Sequence, residues 1–237
     1  MSRPPIALYN GSGRIPDLLG FRRVVLQPRH YSPHDLADLV AGGTVPLAHL
    51  ALSEDAGPPA PWQRTRRSPG RGTALVRPDH PGWADLIKTD AARALNTGFG
   101  GLFIDSLDVE WTHPEDVSHL LALVADLRGL AGAAYLLANR GFAMLPRLAE
   151  LVDGVLFEAF SSRWSDGRYA LWPPEVLAAH AETAEVLLGY DMNLFALDYA
   201  GDDQLASIVE RRARSFGMTS FVTDRALSRL PEPAHAR

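Results

Sequence analysis

The stretch that decides the fold is GFGGLFIDSLDVEW, which runs from Gly98 to Trp111. Residues 102–104 form an unbroken apolar run that ends on the carboxylate of Asp105. A short run that is apolar on both faces is typical of a strand covered on both sides, as in a parallel sheet between helices. A carboxylate at the carboxyl end of such a strand lies where α/β folds hold their functional residues, but the same residue type also caps turns. Asp105 alone therefore leaves both roles open.

Seven further strand-like runs alternate with helical or helix-length segments. The eight runs start near residues 6, 24, 45, 101, 133, 154, 194 and 219. Strict alternation predicts a parallel sheet, and eight units in 237 residues predict one closed (β/α)8 barrel, a fold of about 250 residues. The alternative is an open doubly wound sheet, which usually carries a GxGxxG turn after its first strand. Residues 10–13, Asn-Gly-Ser-Gly, lack that spacing. We therefore expect residues 1–237 to form a single barrel domain.

The helical segments carry recognisable start and stop signals. Ser32 followed by Pro33 is a typical helix start, and Gly42 is a typical stop. Apolar residues at helical spacing predict further helices, which start near 83, 114, 174 and 205. Leu145, Leu148 and Val152 suggest a short helix.

Two connections stand out by composition. Residues 57–72 contain four prolines and four arginines, which predicts a long loop with solvated basic side chains, and residues 75–76 suggest a short extra strand after it. Residues 161–172 form a second loop that carries Trp164, Tyr169 and Trp172. The tail from about residue 231 is expected to fray.

A barrel would gather the residues at the carboxyl ends of its strands on one face. Burying several like charges there costs stability unless a ligand or a partner compensates. Two carboxylates close to aromatic loops suit glycosidic cleavage, in which one acid protonates the leaving oxygen and the other attacks or activates water. Trp164 and Trp172 are equally well interpreted as sugar platforms or as loop anchors. The strand-end candidates are Tyr9, Gln27, Glu54, Asp105, Asn139, Glu158, Asp198 and Asp224.

Other chemistries are disfavoured by what the chain lacks. The absence of cysteine excludes disulfides and thiolate sites, and the eight histidines are too scattered to predict a metal centre. The single lysine, Lys88, lies in a helical pattern rather than at a strand end, which argues against Schiff-base chemistry. The loops after the last two strands, DYAGDDQ and TDRALSR, do not resemble a phosphate cradle. We therefore predict neither a metal nor another cofactor.

Charge and hydropathy limit the classes of partner that the protein is expected to have. The net charge of −5 gives no support for nucleic acid, and no segment approaches the ~18 uninterrupted apolar residues of a membrane span. The N-terminal residues lack the apolar core of a signal peptide. We therefore expect a cytoplasmic protein, or a secreted one whose signal has been removed; the sequence does not indicate an oligomeric state.

Several segments, taken in order, resemble the TIM barrels of glycoside hydrolase family 114, the endo-α-1,4-polygalactosaminidase-like proteins. The resemblance covers most of the chain. It departs from the family pattern at Gly100, where the family has aspartate, and at Ser53, where it has glycine. The segments are PGWADLI (81–87), GFGGLFIDSLD (98–108), LLANRGFAML (136–145), GVLFEAF (154–160), LFALDYA (194–200) and FVTDRALSRL (221–230).

The resemblance implies a barrel that cleaves a galactosamine-containing polysaccharide, with Asp105 and Glu158 as the catalytic pair. Asp105 would be the nucleophile or charge stabiliser, and Glu158 the general acid/base. The expected substrate-binding residues are Tyr9, Glu54, Asp108, Asn139, Trp164, Asp198 and Tyr199, with Glu110 left solvated. The arginines of residues 64–71 fit poorly with a cationic, deacetylated substrate.

Three hypotheses follow from the residues and the resemblance. The first is a retaining or inverting glycoside hydrolase, whose two carboxyl groups should face one cleft. The second is a non-catalytic or degenerate carbohydrate-binding barrel. The third is a carboxylate-based isomerase or lyase acting on a small sugar, which a narrow closed pocket would favour; an open groove would favour cleavage of a polymer.

Overall fold

A computed structural model describes residues 5–68 and 72–230. Its strands are β1 (Ala7–Tyr9), β2 (Arg23–Leu26), β3 (Val45–Ala51), β4 (Glu54–Asp55), β5 (Gln63–Arg67), β6 (Ala74–Val76), β7 (Gly101–Asp105), β8 (Tyr135–Asn139), β9 (Gly154–Glu158), β10 (Ser162–Ser165), β11 (Arg168–Leu171), β12 (Asn193–Tyr199) and β13 (Thr219–Thr223). Its α-helices are α1 (Ile15–Leu18), α2 (Pro33–Ala41), α3 (Pro81–Thr97), α4 (Val117–Ala131), α5 (Pro174–Leu187) and α6 (Asp203–Ser215).

Eight of the strands form one parallel sheet in the order β1, β2, β3, β7, β8, β9, β12, β13. The sheet curls into a nearly closed barrel with helices between its strands. Asn10, after β1, donates its backbone N–H to the carbonyl of Leu227, after β13, at 2.9 Å. This bond links the segments that follow the first and the last strand. The predicted (β/α)8 barrel is confirmed, and its eight strands begin within two residues of the predicted positions.

Strand β7 sits in the middle of this sheet and is buried along its whole length. Leu102 and Ile104 are completely enclosed and Phe103 nearly so, as a run that is apolar on both faces requires. Gly101 starts the strand because its neighbour comes very close: a Cβ at this position would collide with the backbone carbonyl of Tyr135 on β8. Strand β7 is therefore packed tightly against its neighbour where it begins and buried from there to Asp105.

The helix signals are mostly confirmed. Ser32 caps α2 with a full capping box: its side chain accepts the backbone N–H of Asp35, and its own backbone N–H donates to the Asp35 carboxylate at 2.8 Å. The short helix suggested by Leu145, Leu148 and Val152 is a 3₁₀ helix of four residues, Arg147–Glu150, which follows another 3₁₀ helix at Phe142–Met144. Pro146 lies between the two turns, where it has no N–H to donate to a continuous helix.

The loop expected over residues 57–72 is also wrong in part. Its second half contains β5, which pairs antiparallel with β6 (the predicted extra strand) in a small sheet completed by β4. Arg64 is not solvated, since its Nη2 lies 3.0 and 2.8 Å from the two carboxylate oxygens of the buried Asp116. Arg66 and Arg67 are exposed as expected, and Arg71 lies outside the described residues.

The loop expected over residues 161–172 is a hairpin formed by β10 and β11. Ser162 pairs with Leu171 at its base, and Ser165 pairs with Arg168 next to the turn. The predicted fraying of the tail from residue 231 falls outside the described residues. Within residues 5–68 and 72–230, none of the helices has the length and apolar character needed to cross a membrane.

Candidate active site

Three neighbouring strands bring Asp105, Asn139 and Glu158 together at their carboxyl ends. The side-chain nitrogen of Asn139 donates to Asp105 Oδ1 at 2.9 Å and to Glu158 Oε2 at 2.6 Å. Because both oxygens lie on the same nitrogen, they are no more than 5.5 Å apart. Two carboxylates at this distance repel each other, and a shared donor offsets that repulsion.

The Asp105 carboxylate is held by several donors. His49 Nε2 lies 2.9 Å from Oδ2, and the backbone N–H of Ser106 donates to Oδ1 at 2.7 Å. The Asp105 side chain is only 10% exposed, so these bonds fix its orientation. A carboxylate that accepts several hydrogen bonds is stabilised in its ionised form.

His49 is a site residue that the sequence analysis missed. It pairs in register with Phe103 across β3 and β7, so both side chains lie on the same face of the sheet as Asp105. The imidazole also packs against the Phe103 ring, with 5.7 Å between the ring centroids. Metal-ligand spacing does not single out His49, whereas the alternation of side chains along β3 would place it on the inner face of the strand.

Glu158 has its own partner on β12. The hydroxyl of Tyr199 donates to Oε1, while Asn139 occupies Oε2. The guanidinium of Arg140 donates to the backbone carbonyl of Glu158 at 3.2 Å. Both carboxylate oxygens and the backbone of Glu158 are therefore fixed by neighbouring strand ends.

A sharp backbone turn follows each of the three strand-end residues. The next residue has a positive φ in every case, 62° at Ser106, 57° at Arg140 and 54° at Ala159, and none of the three is glycine. Such a conformation is disfavoured for residues with a side chain and occurs preferentially at functional sites. The repeated turn lets the chain leave the barrel directly after each polar side chain.

The carboxylate pair borders two cavities. A cavity of about 800 Å³ is lined by Asp105, Asn139 and Glu158 and reaches Trp164 of the hairpin. A second one of about 320 Å³ is lined by the same three residues and extends toward Asp108. A ligand bound in either cavity would therefore lie next to the carboxylate pair.

The structure gathers some of the predicted site residues at the larger cavity and leaves others away from it. Gln27, Asp105, Asn139, Glu158, Trp164 and Tyr199 line that cavity. Glu54 and Asp108 line only the smaller one of the two. Tyr9, Asp198 and Asp224 line neither.

Asp198 is the clearest case of a strand-end carboxylate outside the cavity. It is completely buried, and its Oδ1 accepts the backbone N–H groups of Ser161 and Ser162 at 2.6 and 2.7 Å. Burial raises the pKa of Asp198 to about 6, against the lowering effect of these hydrogen bonds. In this position the carboxylate ties the base of the β10–β11 hairpin to β12.

The acidic residues near the smaller cavity are largely occupied by protein partners. Asp108 forms an ion pair with Arg140 and accepts the backbone N–H of Gly141 at 3.1 Å. Glu54 accepts from the hydroxyls of Ser68 and Thr73 at 2.8 and 2.7 Å. The solvation expected for Glu110 is wrong, because its Oε2 is enclosed and burial raises its pKa.

The two tryptophans of the hairpin differ in their contacts. Trp164 stacks edge-on against Tyr169, with 4.7 Å between centroids, and lines the cavity; its ring nitrogen has no hydrogen-bond acceptor among the described residues. Trp172 donates its Nε1–H to the carbonyl of Ala159 at 2.7 Å, which anchors the hairpin to β9. Within residues 5–68 and 72–230, no cluster of three or more His, Asp or Glu side chains could hold a metal ion.

No protein-family model matches this chain, and no curated protein sequence is similar to it. Solved structures do match. The glycoside hydrolase domain of PelA from Pseudomonas aeruginosa superimposes with a TM-score of 0.88 at 25% identity, covering 97% of this chain and 98% of that domain. Aspergillus fumigatus Ega3, in complex with galactosamine, has a TM-score of 0.75 at 11% identity, with 96% and 92% covered. The α-galactosidase TtGalA from Thermus thermophilus has a TM-score of 0.61 at 14% identity, with 98% of this chain and 60% of that enzyme covered.

These likenesses differ in what they establish. Those to Ega3 and TtGalA concern the barrel alone, because the sequences have diverged too far to carry more. The likeness to the PelA domain extends over almost the full length of both chains, with 25% sequence identity. It confirms that this chain resembles the glycoside hydrolase barrels, as the sequence segments predicted.

Proposed function

We propose that this chain is a glycoside hydrolase in which Asp105 and Glu158 cleave a galactosamine-containing polysaccharide. The observation that carries the proposal is the pair itself: two carboxylates on one amide donor, at most 5.5 Å apart, on the wall of a large cavity. Retaining glycosidases hold their carboxyl groups about 5–5.5 Å apart, and inverting ones about 6.5–9.5 Å. The bound applies to the nearest oxygens of the two groups, Asp105 Oδ1 and Glu158 Oε2, and we expect retention on this basis.

In this mechanism Asp105 attacks the anomeric carbon and Glu158 protonates the leaving oxygen. The donors around Asp105 suit a group that must stay ionised until it forms the covalent intermediate. Glu158, which borders both cavities, then takes a proton from the water that releases the sugar. Asn139 bonds both groups and so fixes their separation.

The substrate is inferred from the resemblance and from the shape of the site. Ega3 is bound to galactosamine in its structure, and the sequence segments resemble the polygalactosaminidase-like family. Two cavities that meet at the carboxylates leave room for sugar units on both sides of the cleaved bond. This arrangement favours a polymer over the small-sugar isomerase or lyase alternative.

The test is cleavage of galactosamine polymers by the parent chain and by Asp105→Asn and Glu158→Gln. Each variant should lose at least about a thousandfold in kcat, because each removes a group that acts in the transition state. The anomer released first, followed by NMR, should match the configuration of the substrate. Asp166→Asn, at the exposed tip of the hairpin, is the matched control and should keep full activity.

Two results would contradict the proposal. Cleavage that survives both substitutions unchanged would show that other groups perform the reaction. Binding of the polymer by the parent chain without any turnover would identify a non-catalytic carbohydrate-binding barrel instead.

A further inference from the structure

The two oxygens of the Glu158 carboxyl group have neighbours of different chemistry. Oε2 accepts a hydrogen bond from the side-chain amide of Asn139 at 2.6 Å, and Oε1 accepts one from the hydroxyl of Tyr199. An amide nitrogen only donates, whereas a phenol hydroxyl can both donate and accept. Tyr199 can therefore bond to Glu158 in a second way that is closed to Asn139.

The ionised and protonated forms of Glu158 place different demands on these neighbours. The Asn139 nitrogen directs one hydrogen at Asp105 and the other at Glu158 Oε2, so Oε2 must accept in both forms. In a carboxylic acid the carbonyl oxygen accepts well, and the oxygen that carries the proton accepts poorly. The proton of Glu158 therefore belongs on Oε1, the oxygen next to Tyr199.

The orientation of the Asn139 amide supports this assignment. Its own oxygen is enclosed and has no donor among the described residues. Turning the amide over would bring that oxygen against the two carboxyl oxygens of Asp105 and Glu158. The amide thus forgoes a hydrogen bond of its own, at a cost in stability, and remains a donor to both groups.

Tyr199 is in contact with both Glu158 and the cavity. Strands β9 and β12 pair in parallel with Leu197 opposite Glu158, and Tyr199 follows two residues later on the same face of β12. Tyr199 lines the larger cavity next to Glu158, although only 8% of its surface is exposed. Rotation about the phenol C–O bond is enough to turn its hydrogen from Oε1 toward a ligand oxygen in the cavity.

We propose that Tyr199 relays the catalytic proton from Glu158 to the leaving oxygen. This rests on the proposed function. In the protonated enzyme, Glu158 Oε1–H donates to the Tyr199 oxygen, and the Tyr199 hydroxyl donates to the glycosidic oxygen. Every hydrogen-bonding group around Glu158 is then satisfied, with Oε2 still accepting from Asn139.

The relay balances in protons and electrons. Asp105 forms the bond to the anomeric carbon, and the glycosidic C–O bond breaks with its electron pair going to the leaving oxygen. That oxygen takes the Tyr199 hydrogen while the Glu158 proton passes to Tyr199. Glu158 is left as a carboxylate that accepts the Tyr199 hydroxyl at Oε1, which is the contact present in the structure. In the second step the same sequence runs in reverse, from water through Tyr199 to Glu158.

The experiment compares substrates that differ in their leaving group. In a retaining enzyme kcat/KM reports the reaction up to formation of the covalent intermediate, so it isolates the acid step. One substrate is a galactosamine polymer, whose leaving sugar needs a proton. The other is a galactosamine oligomer with fluoride at its reducing end, which departs with little need for one. Tyr199→Phe should lower kcat/KM at least about a hundredfold on the polymer and less than about threefold on the fluoride.

A solvent isotope measurement tests the relay without any variant. Two protons move together in the relay, so kcat/KM of the parent chain on the polymer should fall along a curve as the deuterium fraction of the water rises. Direct transfer from Glu158 moves a single proton and gives a straight line. A straight line for the parent would overturn the relay.

Tyr135→Phe is the matched control, because it removes a tyrosine hydroxyl where β8 begins, at the opposite end of the barrel. It should leave both values of kcat/KM unchanged. The relay would be overturned if Tyr199→Phe kept more than about a tenth of the activity on the polymer, or if it lost equally on both substrates. Either result, with Glu158→Gln inactive on the polymer, would leave the proposed function standing. Cleavage of the polymer by Glu158→Gln would overturn the proposed function, and the relay with it.

Discussion

The inner and outer sides of the barrel rim use the same chemical group for different purposes. On the inner side, Asp105 and Glu158 share an amide donor and border a cavity. On the outer side, Asp198 is completely buried and accepts the backbone N–H groups of Ser161 and Ser162. A ligand can reach the carboxylates of Asp105 and Glu158, whereas the Asp198 carboxylate does not line the cavity and stabilises the fold. Aspartate at a strand end is therefore not by itself a sign of an active site.

The alternation of side chains along a strand explains the difference. Leu197 and Tyr199 both line the cavity, so Asp198 between them must point away from it. Tyr9 is placed in the same way, because the residues on either side of it line the cavity. Adjacent positions on one strand can therefore differ in role: Tyr199 lines the cavity, whereas Asp198 stabilises the fold through hydrogen bonds to Ser161 and Ser162.

The largest effect is expected for a substitution on the inner side, at Asn139. Asn139→Ala removes the two hydrogen bonds that set the separation of Asp105 and Glu158, of which the one to the ionised Asp105 typically contributes about 1.5–3 kcal/mol. We expect kcat to fall about a thousandfold, equivalent to about 4 kcal/mol. Steady-state kinetics on a galactosamine polymer measures it.

Asn193→Ala provides the control, since Asn193 is an exposed amide at the start of β12, at the opposite end of the barrel. Its kcat should equal that of the parent. If Asn139→Ala retained more than about a tenth of the parent activity, the shared donor would not be what organises the pair.

The next effect concerns stability on the outer side. Asp198→Ala leaves the N–H groups of Ser161 and Ser162 buried without an acceptor, which costs about 1–3 kcal/mol per group. We expect the free energy of unfolding to fall by about 3 kcal/mol in urea titrations at pH 5, with kcat of the folded enzyme nearly unchanged. Asp166→Asn, on the exposed turn, keeps a side chain that tolerates the positive φ of 52° at this position and should cost less than about 0.5 kcal/mol. A loss of kcat without a loss of stability would instead place Asp198 in the reaction.

Much of the fold follows from the sequence because it depends on patterns repeated along the chain. The eight apolar runs, the capping signal at Ser32 and the prolines that start α2 and α5 are local features, and the structure agrees with them. The small sheet formed by β4, β5 and β6 was not predictable in this way. It is stabilised by contacts between distant residues, such as Arg64 with Asp116, in a segment whose composition indicated a loop.

The candidate site was only partly predictable for a related reason. The strand ends could be located, but which of two adjacent polar residues faces inward depends on the register of the neighbouring strands. The pair Asp198 and Tyr199 shows this, since nothing local to the sequence says which one enters the cavity. The positive φ angles at Ser106, Arg140 and Ala159 were not predictable either, because glycine, the usual signal for this conformation, is absent from these three positions.

A smaller effect on the outer side is a dependence of stability on pH. Burial raises the pKa of Asp198 from 3.8 to about 6 in the folded chain. Between about pH 4 and pH 6 the folded chain therefore holds this proton more tightly than the unfolded chain, so the contribution of this group to stability falls as the pH rises through that range. Asp198→Asn cannot titrate. We expect the parent to lose roughly 2 kcal/mol relative to Asp198→Asn between pH 4 and pH 7.

Urea titrations of both proteins at several pH values measure this difference, and the other titrating groups cancel when the two curves are subtracted. A difference that stays constant from pH 4 to pH 7 would mean that Asp198 has the same proton affinity in the folded and unfolded chains. In that case the hydrogen bonds from Ser161 and Ser162 would fully offset the effect of burial on the pKa of Asp198.

The smallest effect is expected at His49, whose imidazole contacts the Asp105 carboxylate on the inner side of the rim. Its Nε2 lies 2.9 Å from Asp105 Oδ2, on the side of the carboxylate that Asn139 does not reach. His49→Leu should lower kcat about tenfold, corresponding to the loss of one hydrogen bond to a charged group, with KM nearly unchanged. His49→Gln can still donate from its side-chain amide and should recover most of the loss. Because packing against Phe103 is lost in both variants, rescue by glutamine alone distinguishes orientation of the carboxylate from support of the core. Equal losses in the two variants would assign His49 to the core.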